Sequence, residues 1–216
     1  MNHRDHAPRS TRRRYHHGNL KEALVEAARS LIAEKGPAGF TFAEAARHAG
    51  VSAAAPYRHY RDRDDLIADV ARHGFERFES ALERAWRNGT PNAYEAYERL
   101  GRAYLAFARA EPAYYAAMFE SGLSFSPASA AALASDRAFE VLRQATAGLI
   151  ADLPEARRPP VTMMALHIWS LAHGIASLFS RGDGTGRKTP ISPEELLESA
   201  LLIYLRGLGL GPDAGN

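Results

Sequence analysis

The chain has 216 residues, 46% of them apolar, and a formal net charge of only +2. That composition excludes a wholly disordered polymer and is enough to bury a core, as one large domain or two small ones. With no cysteine in the sequence, disulfides and thiol chemistry are excluded, and a reducing compartment suits the chain.

The charge is unevenly spread. Residues 1–61 hold eleven Lys/Arg against five Asp/Glu, and residues 62–216 hold sixteen against twenty, so a basic head of +6 sits on a body of −4. Six of the nine histidines lie in that head. Such asymmetry points to a polyanionic partner at one end, with a solvated basic tail as the alternative. The opening stretch MNHRDHAPRSTRRRYHHG lacks the apolar segment of a secretory signal, and no later stretch is read as reaching the ~20 apolar residues that span a bilayer. A soluble, cytoplasmic protein without a membrane partner is expected.

In chain order the periodicity is helical almost throughout. Residues 1–14 read as a mobile basic arm. The first helix places Leu20, Leu24, Ala27, Ala28, Leu31 and Ile32 on one stripe, opens with Asn19 and Glu22 at capping-box spacing, and stops at Gly36. Thr41 and Glu44 repeat the box for a short second helix running to His48, before Gly50. A third helix is expected from Ser52 to about Tyr60, since Pro56 near its first turn costs at most one helical hydrogen bond. Asp62 and Asp65 can cap a long connecting helix over residues 63–88, ended by NGTP. Five more helices follow, punctuated by Pro or Gly, over 92–112, 112–121, 127–154, 160–181 and 193–208. The expected fold class is therefore all-α, an N-terminal three-helix helix-turn-helix unit (15–62) and a connecting helix leading into a larger helical bundle (89–210), with a tail at 211–216. No alternating apolar pattern of strand length competes, and no internal repeat is present.

Two short helices around a glycine turn form a helix-turn-helix pattern, whose second helix enters the DNA major groove. The stretch VSAAAPYRHYRDRDDL (51–66) fits such a surface. Small residues let the backbone approach the bases, and Tyr57, His59, Arg61 and Arg63 can reach phosphates and set the register. A hairpin buried in a core would instead need apolar residues here.

The run TFAEAARHAGVSAAAPYRHYRDRDDLIADV resembles the DNA-binding domain of the TetR family of transcriptional repressors, through Thr41, Gly50, Tyr57, Tyr60 and Arg63. The resemblance implies a two-domain, all-helical homodimer that binds a partly palindromic double-stranded operator. Such a repressor leaves the operator when a small-molecule effector fills its C-terminal domain. Carried over by position, Thr41, Tyr57, His59 and Arg63 would hold phosphates, and Ser52, Ala53, Ala54 and Ala55 would open the segment facing the bases. Two departures matter. Arg63 stands where the family more usually has lysine, and Ala43, Ala53 and Ala54 occupy positions where others carry polar base readers. Alanine touches thymine methyls but cannot hydrogen-bond through its side chain. Specificity would then lean on methyl contacts, Arg58, DNA shape and an arm in which Arg12, Arg13 and Arg14 reach an A·T-rich minor groove.

Further along, Trp169, His173 and Gly174 resemble the WHG-type C-terminal domain of one TetR subgroup. Gly174 suggests that something packs closely there. His173 is either a hydrogen-bonded core histidine or an effector contact. Tyrosines and phenylalanines are concentrated between residues 94 and 119, and Tyr104, Phe107, Met118, Phe119, Trp169 and His173 are candidate walls of a pocket for a mostly apolar or aromatic ligand. The last two helices, through Leu166, Leu196, Leu197, Leu201, Ile203 and Tyr204, are the candidate dimer contact. His16 and His17 lack carboxylates at ligand spacing, so no metal is expected, nor any cofactor. Phosphate loops and hydrolase motifs are absent, and an enzyme is not expected. An activator or an effector-independent regulator is the alternative to a ligand-released repressor.

Overall fold

The computed structural model describes residues 20–180 and 190–210, and the candidate arm residues Arg12, Arg13 and Arg14, with Asn19, His16 and His17, lie outside them. Among the described residues there are eight α-helices and no strand: α1 (Leu20–Lys35), α2 (Phe42–His48), α3 (Arg63–Trp86), α4 (Ala93–Ala110), α5 (Pro112–Phe119), α6 (Ala130–Leu149), α7 (Val161–Ser180) and α8 (Pro193–Gly207). The chain is all-α, a helix-turn-helix unit followed by a larger helical bundle. Its helices start where side chains satisfy the first free N–H groups. Thr41 and Glu44 form a complete capping box on α2, Asp62 accepts the Asp65 N–H at 2.9 Å to open α3, and Ser192 with Glu195 boxes α8.

Helix α3 is the spine. It packs on α6, α5 and α4 in the body and on α1 in the N-terminal unit. Its buried side, Leu66, Ile67, Val70, Phe75, Phe78 and Leu82, runs the length of the molecule, so one continuous core spans both units. Helix α1 also touches α5, a second seam between them. Gly74 makes the α3–α5 approach possible, because a Cβ there would sit 2.7 Å from Met118 Sδ and 3.2 Å from the Tyr114 Cβ.

The segment expected as a third helix differs. After α2 the chain turns through Gly50 at φ +74°, with the Gly50 and Val51 N–H groups closing on the Arg47 and Ala46 carbonyls at 3.0 Å. Residues 52–60 then form successive tight turns, with only Pro56–Arg58 making a 3-10 turn. Ala55 N–H bonds to the Ser52 carbonyl, Arg58 to Ala55 and His59 to Pro56, at 3.0, 3.3 and 2.9 Å. Pro56 has no N–H to give the Ser52 carbonyl, and its ring is fully buried, so the first α-helical bond is missing where nucleation needs it.

One further expectation is corrected. The 19-residue stretch Val161–Phe179 is long and apolar enough, by length and composition, to cross a membrane. In the fold it packs on α4, α6 and α8, burying Met164, Ala165, Ile168, Ala172, Ile175 and Ala176.

Candidate functional site

The N-terminal unit presents one open surface. Ala43, Arg47, Ser52, Ala53, Ala54, Tyr57, Arg58 and His59 are exposed, and Ala55 is half-buried. Tyr57 is 64% exposed, a high value for a large aromatic, and it stands edge-on to Phe42 at 5.0 Å. Its ring is thus braced on Phe42 while most of the side chain remains exposed. Among the described residues, Arg58 and His59 have no side-chain partner, so both are available to an anion.

Two other candidate phosphate ligands are engaged. The Thr41 hydroxyl accepts the Glu44 N–H at 3.2 Å and donates to the Glu44 carboxylate at 3.1 Å. Lys35, at 2.8 Å, and then Thr41 hold that carboxyl down at about 2, so it is an anion at neutral pH. Arg63 is half-buried over the Phe40 ring, reaches the Phe40 carbonyl at 3.4 Å and pairs with Asp64 at 3.1 Å. It braces the α1–α2 turn. Arg61 forms a two-pronged pair with Asp65 at 2.5 and 2.6 Å.

Beneath this surface lies a polar cluster that the sequence pattern does not reveal. The buried Tyr60 hydroxyl donates to Asp69 at 2.7 Å, and Asp69 also takes Lys21 at 3.1 Å and Arg72 at 2.7 Å. Arg72 continues to Glu76 at 2.7 Å. Burial disfavours the Asp69 charge, but the hydrogen bonds from Tyr60, Arg72 and Lys21 outweigh it and hold the carboxyl below its usual range. Burial, then the neighbouring Asp69, pushes the Tyr60 phenol up. The end of the recognition segment is thereby tied to α3 and α1. An aspartate at a buried position of α3 was the available signal, since such an acid requires partners.

The body contains a cavity of about 220 Å³ between α3, α4, α6 and α7. Of the candidate pocket residues, Tyr104, Phe119 and Trp169 line it; Phe107 and Met118 lie outside, in the surrounding core. Phe75, Phe78 and Leu82 of α3 form another wall, with Phe139, Leu142, Ser135 and Asp136 of α6. Leu166, a candidate dimer residue, also lines it. His173 sits behind the lining. Its Nδ1 is 3.0 Å from both the Tyr104 and Tyr115 hydroxyls, and the Trp169 indole N–H donates to the Tyr104 hydroxyl at 3.2 Å. Burial pushes the His173 ring down in pKa, with Glu120 opposing, so it is neutral at pH 7. This supports the core-histidine alternative, in which the ring sets the orientation of two tyrosines, one of them in the pocket wall.

On the outside of α7 and α8, Met163, Leu166, Leu178 and Ile203 are exposed, Leu196 and Tyr204 half-buried, and Tyr204 reaches His167 Nδ1 at 3.0 Å. Leu197 and Leu201 are each 1% exposed and pack within the same chain, where a Cβ on Gly101 would meet them at 3.0 and 3.4 Å. They belong to the protomer core because α8 lays that face on α4, which leaves them no surface for a partner. Gly174 is exposed, and a Cβ there would meet nothing within 4 Å. The close packing expected at that glycine is therefore absent within the protomer. Among the described residues, no group of His, Asp and Glu could hold a metal ion.

Comparison with known proteins follows this division of the chain. Residues 24–70 match the family model "Bacterial regulatory proteins, tetR family", and residues 97–203 match "Tetracyclin repressor-like, C-terminal domain". The second span includes Trp169, His173 and Gly174. No curated protein matches. Among solved structures, a protein of unknown function from Rhodococcus sp. RHA1 shares 30% identity and a TM-score of 0.74, with 90% of this chain and 98% of that one covered. The TetR family transcriptional regulator PfmR from Thermus thermophilus shares the fold at 22% identity and a TM-score of 0.63, over 85% and 97% of the two chains. The Bacillus subtilis transcriptional regulator FadR, solved with stearoyl-CoA, shares it at 14% identity and a TM-score of 0.67, over 86% and 98%.

Proposed function

Since the chain belongs to the TetR family of DNA-binding transcription regulators, which are not enzymes, we propose that it is a repressor that binds a partly palindromic operator as a homodimer and releases it when a small, mostly apolar ligand fills the body cavity. The observation that carries this reading is the course of α3. One end of that helix holds the recognition segment through Asp69 and Tyr60, and its middle forms a cavity wall through Phe75, Phe78 and Leu82. A ligand that displaces the wall moves the tether. A dimer needs its two recognition segments about 34–36 Å apart, one DNA turn, so a small tilt suffices for release.

Tyr57 and His59 are the proposed phosphate contacts, with Arg58 and the exposed Ser52, Ala53 and Ala54 against the bases. Thr41 and Arg63 act through the geometry of the α1–α2 turn, or bind phosphate only after leaving their present partners. Arg12, Arg13 and Arg14 would follow the adjacent minor groove. The proposed division of labour is arm (1–14), reader (15–62), connecting helix (63–88) and body (89–210). The proposed partner surface is the exposed α7–α8 face around Met163, Gly174, Leu178 and Ile203, where two helices from each protomer would form a four-helix contact. The absence of a side chain at Gly174 would let the partner helix approach. The cytoplasm, where the operator is, is the proposed location. That FadR, a transcriptional regulator of this fold, was solved in complex with stearoyl-CoA supports a ligand-responsive regulator.

Selection of bound sequences from random duplex DNA at physiological salt tests the reading. A partly palindromic consensus with half-sites about one turn apart supports a dimeric operator reader. Enrichment of nothing beyond A·T richness overturns it. With an operator in hand, ligand affinity must fall by the same factor on DNA as DNA affinity falls with ligand, and equal ligand affinity with and without operator refutes the coupling.

A further inference from the structure

The body cavity is chemically one-sided. Aromatic rings, Tyr104, Phe119, Phe139 and Trp169, make up much of the wall. Among the described residues, Asp136 of α6 brings the single formal charge to it, and neither lysine, arginine nor histidine is part of the lining. The acids near Asp136 are paired elsewhere: Glu140 with Arg143 at 2.7 Å, and Glu79 with Arg137 at 3.1 Å. Arg137, the next residue after Asp136, is thereby paired with α3 and is not part of the cavity lining. Asp136 itself is exposed at the mouth and has neither a hydrogen bond nor an ion pair among the described residues.

Ring faces carry negative potential, and a carboxylate beside them adds a full negative charge. An organic cation satisfies both. An organic anion would lie against Asp136 with no cation to compensate it, at a desolvation cost that nothing in the wall offsets. Size narrows the class further. At about 220 Å³ the cavity is below the usual range for drug-sized ligands, so it favours a small occupant.

We propose that the effector is a small lipophilic amine, bound with its hydrocarbon or aryl body among these rings and its ammonium group at Asp136. The proposal rests on the reading of this cavity as the effector site. It makes Asp136 the specificity-determining residue, with Ser135 beside it as a further acceptor at the mouth.

Three probes of one shape separate the possibilities: 2-phenylethylamine, protonated at pH 7, neutral 2-phenylethanol, and anionic phenylacetate. Their affinities for the full chain are measured by calorimetry at low salt, with wild type and Asp136→Asn. The amine is expected to bind about tenfold more tightly than the alcohol, and phenylacetate most weakly. The amine's advantage should shrink as salt is added, because the mouth is solvated. Asp136→Asn should bring amine and alcohol within about twofold of each other and leave the alcohol unchanged, which also reports an intact cavity. Equal affinity for amine and alcohol in wild type overturns the cation proposal, and an amine preference undiminished by Asp136→Asn overturns the placement of the ammonium at Asp136; either leaves the effector-pocket reading standing. Binding of none of the three overturns both.

Discussion

Removing a single oxygen atom at Tyr60 tests whether the recognition segment is held by the buried cluster beneath it. Tyr60→Phe keeps the ring, which is 6% exposed, and deletes the 2.7 Å hydrogen bond to Asp69. A hydrogen bond to a charged group contributes about 1.5–3 kcal/mol. Asp69 retains Lys21 at 3.1 Å and Arg72 at 2.7 Å, so it is not left unpaired, and the lower part of that range applies, about 1.5–2 kcal/mol. With a urea slope of about 2 kcal/mol per molar, the midpoint falls by somewhat under about 1 M. The assay is a double-mutant cycle in urea at fixed protein concentration, comparing Tyr60→Phe, Asp69→Ala and the double variant, because the proposed dimerisation would make the midpoint concentration-dependent. Once Asp69 is gone, the phenol has no charged acceptor, and adding Tyr60→Phe should cost almost nothing more. A coupling of at least about 1 kcal/mol is expected. A coupling within about 0.3 kcal/mol of zero, the usual error of additivity, would mean that the tether contributes nothing and that the recognition segment is held by packing alone.

The same cluster sets a pH dependence. The folded Asp69 carboxyl lies below its unfolded value, near 3.9, so its stabilisation is fully present above that pH and is lost as pH falls through the folded value. The wild-type urea midpoint should therefore drop more steeply below about pH 4 than that of Asp69→Ala, and parallel curves would contradict the assignment. Gly74→Ala gains up to about 1 kcal/mol in helix propensity but crowds Met118 and Tyr114, at about 1–3 kcal/mol, so a net loss is expected. Met118→Ala in the same chain should relieve the crowding, and a Gly74→Ala chain more stable than wild type would show that α5 yields freely. Ile203→Asp, at a position 71% exposed, should dissociate the proposed dimer in sedimentation while preserving helicity; Leu201→Asp, at a position 1% exposed, should unfold the chain instead. An Ile203→Asp chain that stays dimeric would move the partner surface elsewhere. Arg58→Ala should weaken operator DNA by more than random DNA, and equal weakening would make Arg58 a phosphate contact alone.

Helix starts are legible because capping is local. Thr41 with Glu44 and Asp62 with Asp65 act across three residues, so spacing alone locates them. The apolar stripe of α1 is equally plain, since its buried residues repeat at the helical period. The same local logic misplaces a helix at 52–60. Counting one hydrogen bond lost at Pro56 overlooks that the missing bond belongs to the nucleating turn.

Sequence by itself determined the class of molecule: charge gathered in the first 61 residues, a capped two-helix motif around Gly50, an alanine-faced segment followed by Tyr57, Arg58 and His59, and helical periodicity to the end. Periodicity marks a face as apolar without saying what covers it. Tertiary structure alone decided that Leu197 and Leu201 meet α4 while Ile203 faces outward, and that Phe119 and Trp169 line the cavity while Phe107 and Met118 do not. It also joined His173 to Tyr104 and Tyr115, 69 and 58 residues away, and Tyr60 to an aspartate one element further on. Such pairings depend on how whole helices pack, and the energy that selects them is shared among many side chains whose separations along the chain carry no signal.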